Sequence, residues 1–204
     1  MARSMRFRHT REAMALIRKD SDTARRIDGE GVYLRAPEAR DYQEWADVRE
    51  ASRNFLTPWE PTWAQDETSR ASYRYKLRRY TEDARDDKAH ALFVFRDEDD
   101  ALVGGVTLSN IRRGVAQTVS MGYWAGEMFA GRGYITAAVR AAVRFAFEDL
   151  ELHRVEAACQ PDNMASRRVL AKVGFTHEGV ARAYLKINGA WRDHLLFATV
   201  NPAA

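Results

Sequence analysis

Between Met121 and Ala138 the chain reads MGYWAGEMFAGRGYITAA, a strand-like run that passes through a Gly-x-Gly turn directly into a long helix. Few folds accommodate that order. The turn must let backbone approach a neighbour closely at two points, which Gly131 and Gly133 permit, and the helix that follows begins with N–H groups that have no carbonyl partner. Free amides at the positive end of a helix dipole form an anion cradle, and a diphosphate is its natural occupant. The helix is well specified: Ile135, Val139, Ala142, Val143, Ala146 and Leu150 recur at helical spacing, while Arg140, Arg144 and Glu148 fall on another face. A loop that needs glycine for its own geometry would show the same turn, so the pattern alone leaves both readings open. Two nucleotide-binding motifs are disfavoured: a dinucleotide fingerprint needs a glycine where Thr136 stands, and the Gly-Lys-Ser/Thr of a P-loop is absent.

Patterning along the rest of the chain predicts the order β α α β β β α β α β β. Residues 31–35 read as a strand stopped by Pro37, followed by a helix over 38–53 and an aromatic connection, 54–63, holding Phe55, Leu56, Trp59 and Trp63. A second helix spans about 67–85, with Tyr73, Leu77 and Tyr80 inward. Strands at 91–95 and 102–109 flank the turn cluster 97–100, and 117–125 and 154–160 bracket the long helix. Asp162 or Asn163 caps a short helix that ends before Gly174. Asn188-Gly189 between apolar runs at 179–187 and 191–200 signals a type I′ hairpin. The class is α+β: a mixed, mostly antiparallel sheet with a central β-α-β crossover, flanked by helices.

The run G-Y-W then G-R-G, with N-x-x-S at Asn163 to Ser166 and G-F at Gly174-Phe175 about thirty residues later, resembles the GNAT acyl-CoA N-acyltransferases. Within them the chain is similar to the RimJ/RimL group, which acetylates the α-amino group of ribosomal proteins. PWEP (Pro58 to Pro61), SNIRRG (Ser109 to Gly114) and INGAWRDH (Ile187 to His194) look most RimJ-like, and the resemblance covers roughly 31–200. It implies the GNAT fold and acetyl-CoA as cosubstrate, with pantetheine lying along a splayed strand edge beside Met121 and Tyr123. It further implies that Phe129, Gly131, Arg132, Gly133 and Tyr134 offer backbone N–H groups to the diphosphate. Met128 departs from the Gln or Arg common in the family, so a side-chain contribution is lost there while the backbone cradle is kept.

Acyl transfer to an amine needs a neutral amine, a polarised thioester carbonyl and a protonated leaving thiolate. The resemblance gives the last role to Ser166, with Asn163 orienting the cofactor arm; helix capping explains Asn163 equally well, and the two roles coexist. Glu60, Glu127, Glu178, Asp193 and His194 are candidates for the base, Glu60 first because it sits in the aromatic loop. A salt bridge accounts for Glu60 as readily, and a chain of waters could replace any of them. Trp59, Tyr184 and Trp191 are expected to line the acceptor cleft. Cys159, the one cysteine, reads as a core residue, so transfer is expected to run directly from acetyl-CoA to the amine.

Two acceptor classes follow: a protein N-terminus, as the RimJ-like resemblance implies, or a small amine such as an antibiotic, a polyamine or an amino-acid conjugate. A third expectation comes from charge. Residues 1–27 carry eight Lys and Arg against three Asp and Glu, in a chain of 204 residues whose net charge is only +3. Residues 1–28 therefore read as a basic extension and 29–204 as one domain. Such an extension suits phosphate contacts with ribosomal RNA, with transferase activity then secondary to ribosome assembly; a merely solvated tail has the same composition. A short helix is expected near 11–19. A lone cysteine and scattered histidines predict no metal, and no apolar run approaches the roughly 20 residues of a membrane span, so the expectation is a cytoplasmic protein.

Overall fold

The computed structural model describes residues 26–203. The basic extension and the helix expected near 11–19 lie outside the described residues. The first element, β1 (Ile27–Asp28), already belongs to the sheet, pairing antiparallel with β2 (Val32–Arg35). The sheet thus begins inside the stretch read as an extension. Arg26 holds this edge, with its guanidinium on Asp28 and Asp97 and over the ring of Tyr33.

Helix α1 (Tyr42–Ala51), the single turn α2 (Arg53–Leu56) and a 3-10 turn at Thr57–Trp59 replace the one long helix and open loop read from the sequence. Helix α3 (Arg70–Arg85) starts three residues later than its pattern suggested, where the Ser69 side chain accepts from the Ser72 amide. Strands β3 (His90–Arg96), β4 (Leu102–Arg112) and β5 (Thr118–Ala125) run antiparallel. Helix α4 (Tyr134–Glu148) carries the chain over to β6 (Arg154–Cys159), which lies parallel to β5. Helix α5 (Met164–Val173) leads to the hairpin of β7 (Thr176–Ile187) and β8 (Ala190–Val200). At its tip Asn188 and Gly189 both have positive φ, as a type I′ turn requires.

Among the described residues eight strands form one sheet in the order β1-β2-β3-β4-β5-β6-β8-β7. Period-two alternation sends one set of strand residues to each face. Val32, Leu34, Val106, Val119 and Val155 pack under α4, whose small side chains Ala138, Ala141, Ala142 and Ala146 let it lie close to the strands. The opposite face is aromatic: Tyr33, Trp45, Tyr73, Phe93 and Phe95 join α1 and α3 to the sheet. Tyr73 is the pin of that layer, its ring sealed and its hydroxyl donating to the Glu38 carbonyl at 2.7 Å. Full burial of one such large side chain contributes roughly 1.5–3 kcal/mol, so these two layers hold the strands at fixed height around the one place where they part.

Candidate active site

Strands β5 and β6 pair from Thr118↔Arg154 to Met121↔Ala157 and no further. Beyond that rung β5 keeps only β4, while Ala158 and Cys159 keep only β8 through Leu196 and Leu195. The fork opens a cleft of about 620 Å³ that runs from the cradle loop, past α5, to the loop bearing Trp59 and Glu60. On its β6 side, the backbone of residues 122–125 has no strand partner, which is an edge that a linear amide-bearing ligand can complete.

At one end of the cleft is the cradle. Gly131 and Gly133 have φ of 75° and 92°, a region costly for residues with a Cβ, and the space a Cβ would fill is open at both. Among the described residues no protein acceptor takes the amides of 131–136; the first helical bond is Ala137 N–H to Gly133 O. The amides of Gly131, Arg132, Gly133 and Tyr134 are thus left without an acceptor among the described residues. Phe129 is a correction: its amide already donates to Gly126 O at 2.9 Å in a 3-10 turn, and its buried ring forms part of the cleft wall instead. Arg132 and Met128 are exposed. The sequence reading missed two further cations, Arg168 and Lys172, one turn apart on α5. Both line the cleft, and among the described residues neither has a carboxylate partner.

In the fork, the phenol of Tyr123 reaches across from β5 to α5. Its oxygen lies 2.8 Å from Ser166 Oγ and 3.3 Å from the Ser166 carbonyl. Burial raises the Tyr123 pKa well above its ordinary value, with the Ser166 bond acting weakly the other way, so the phenol keeps its proton. Asn163 caps α5, its Oδ1 accepting from the Ser166 amide at 3.0 Å, which leaves its Nδ2 to donate into the cleft it lines. Cys159 lies in the same wall; burial raises its pKa, and the nearby Ser166 hydroxyl only partly offsets this. At neutral pH it is a thiol and a poor nucleophile.

The far side of the cleft meets α2 and the β7–β8 hairpin. Trp59 and Glu60 line it. The Glu60 carboxylate, however, is already engaged: Oε1 and Oε2 accept from Arg49 Nη1 and Nη2 at 2.8 and 2.7 Å, and Oε2 also from Trp63 Nε1 at 2.7 Å. Arg49 in turn lies over the rings of Trp63 and Trp124. Two backbone-bound contacts tie this loop down, Gln160 Nε2 to Pro58 O and Asn188 N–H to Glu60 O. Tyr184 and Trp191 do not line the cleft; they are 48% and 64% exposed, and the Tyr184 ring stands beside the His194 imidazole rather than in the cleft wall. Leu185, Ile187 and His194 face inward in their place, because neighbours along a strand alternate sides.

Among the described residues no cluster of His, Cys, Asp or Glu is arranged to hold a metal ion, and no helix is long and apolar enough to cross a membrane.

The family profile described as Acetyltransferase (GNAT) domain matches residues 32–176. A probable N-acetyltransferase of Bacillus subtilis, YjcK, is 38% identical over 176 residues, covering 86% of this chain and 97% of that protein. The [ribosomal protein uS5]-alanine N-acetyltransferase of Escherichia coli is 31% identical over 177 residues, 87% of this chain and 91% of its own length. Among solved structures, Mycobacterium smegmatis RimJ in complex with CoA-disulfide superposes with a TM-score of 0.80 at 34% identity, covering 88% of this chain and 86% of that one.

Proposed function

This chain belongs to the GNAT acetyltransferase family, an acyl-CoA-dependent acetyltransferase by that membership, and from that premise we propose that it acetylates the N-terminal α-amino group of a protein, a ribosomal protein first. The observation that carries the cosubstrate half of this reading is the fork between β5 and β6 with its unpartnered amides at 131–136. Pantetheine lies along the open β5 edge, next to Met121 and Tyr123, and its amides complete the strand. The diphosphate rests on the backbone of Gly131, Arg132, Gly133 and Tyr134, and Arg168 and Lys172 neutralise phosphate charge from α5.

Asn163 Nδ2 holds the arm in line. Ser166 donates to the sulfur as charge develops there, and the un-ionised Tyr123 phenol, by donating to Ser166 Oγ, leaves the serine proton free to point at the sulfur. Transfer is direct, since Cys159 is a buried thiol.

The protein-acceptor half rests on the likeness to the E. coli uS5-alanine enzyme, 31% identical, with M. smegmatis RimJ, 34% identical, as a structural neighbour that binds CoA-disulfide. The exposed hairpin aromatics Tyr184 and Trp191 give an approaching polypeptide apolar surface outside the cleft. Thiol release from acetyl-CoA, measured against a panel of N-terminal peptides and a panel of small amines, tests the reading. Release with peptides alone supports it. Release with amines alone reassigns the enzyme to small molecules.

A further inference from the structure

Of the five candidate bases named from the sequence, four are already engaged or turned away. Glu60 is held in a bidentate ion pair with Arg49 and also accepts from Trp63. Glu178 is paired with Arg154, and Asp193 accepts the Ala183 amide at 2.7 Å. Glu127 is exposed on the 3-10 turn and does not line the cleft. The fifth, His194, is 3% exposed yet lines the cleft.

Its ring is oriented by two contacts. Nδ1 lies 3.0 Å from the Arg192 carbonyl, which can only accept, so Nδ1 carries the hydrogen and the neutral ring keeps its lone pair on Nε2. The Tyr184 ring stands edge-on to the imidazole at 5.8 Å. Among the described residues no protein group bonds Nε2. The strand register fixes the side from which it acts. Cys159 pairs with Leu195, so these two share a face, and the adjacent His194 points to the other. Ser166 approaches the fork from the Cys159 face, and His194 therefore stands across the sheet from the thiol end.

We infer that His194 Nε2 is the general base of the transfer, with Tyr184 as the positioning residue behind it; this rests on the acetyltransferase reading above. The acceptor ammonium gives one proton to Nε2. The neutral nitrogen then forms the C–N bond to the acetyl carbon as the C–S bond breaks with its electron pair going to sulfur. The second nitrogen proton replaces the one that Ser166 gives to sulfur, passing through cleft water, and the imidazolium returns its proton to solvent. One ammonium and one thioester thus become one amide, one thiol and one released proton.

The test uses the full chain, acetyl-CoA, and whichever amine the unaltered protein turns over. His194→Ala is expected to lower kcat by about a hundredfold while leaving the KM for acetyl-CoA unchanged, and added imidazole is expected to restore part of the rate. Near-normal turnover in His194→Ala, or a loss in a normally folded variant that imidazole does not restore, overturns the inference. Ring ¹⁵N spectra of the CoA complex give a readout that needs no acceptor: a neutral His194 bearing its hydrogen on Nδ1 agrees, and one bearing it on Nε2 overturns it. Failure of the substrate reading looks different, because peptides are then not turned over while His194→Ala still abolishes acetylation of the amine that is.

Discussion

Replacing Glu60 by Gln separates a structural carboxylate from a catalytic one. Arg49 and Glu60 form a bidentate pair whose side chains are only 8% and 21% exposed, and the carboxylate takes a third bond from Trp63. Gln keeps the shape but replaces one acceptor oxygen with an NH₂ group, which then faces an Arg49 donor, and it leaves the guanidinium charge unneutralised. Breaking one partner of a buried pair costs about 3–5 kcal/mol, and the partial exposure of Glu60 places this case near about 3 kcal/mol. For a chain of this size each kcal/mol moves Tm by about 2–4 °C, so the expected drop is about 6–12 °C by circular dichroism. Because an apolar replacement of both partners removes the stranded charge, Arg49→Met with Glu60→Leu is expected to recover most of that loss. Turnover of Glu60→Gln, measured well below its melting range, is expected to fall much less than that of His194→Ala. An unchanged Tm with a collapse in kcat would refute the reasoning and make Glu60 the base.

Three further outcomes follow from the same geometry. Gly131→Asp puts a carboxylate and a Cβ into the open cradle at a φ of 75°, and is expected to abolish acetyl-CoA binding by calorimetry without unfolding the protein. Ser166→Ala is expected to lower kcat more than it weakens acetyl-CoA binding, and Tyr123→Phe to lower kcat about tenfold alone but not further in the Ser166→Ala background; additive losses would separate the two hydroxyls. For pH, Tyr73 and Tyr123 have folded-state pKa values raised by burial above the ordinary 10.0. Their contribution to stability is therefore complete below pH 10 and is lost as pH rises towards the raised values. Urea midpoints should hold up to about pH 10 and fall above it, with a shallower fall in Tyr123→Phe.

The element order was legible because its signals are local. Apolar alternation, the Gly-x-Gly turn ahead of a 3.6-residue pattern, and Asn188-Gly189 each declare themselves within a few residues, and the structure has them all. The exception near the start is instructive: β1 is two residues long and is defined by its pairing with Tyr33 and Leu34, so no local pattern marks it. The site divides along the same line. The cradle was legible, but the amide of Phe129 was misjudged because a turn back to Gly126 leaves no composition signal.

Contacts between distant segments were illegible. Tyr123 meets Ser166 across 43 residues, and Arg49 engages Glu60 only because α2 and the 3-10 turn fold the loop back on α1. Tyr184 and Trp191 were misplaced by the hairpin itself. Its pairing slips between Ala181 and Leu185, and Ala183 has a positive φ, so strand phase is lost there. Phase counted back from the buried Ile187 places Leu185 on the cleft side, but beyond the slip it no longer gives the side of Tyr184, whose ring meets His194.

The central claim is most directly tested by incubating the protein with acetyl-CoA and a peptide that carries both a free N-terminus and an internal lysine, then locating the acetyl group by tandem mass spectrometry. Acetylation of the α-amine alone, abolished by Gly131→Asp, is the expected result. Acetyl on the lysine side chain, or none on the peptide while a small amine is modified, would contradict it.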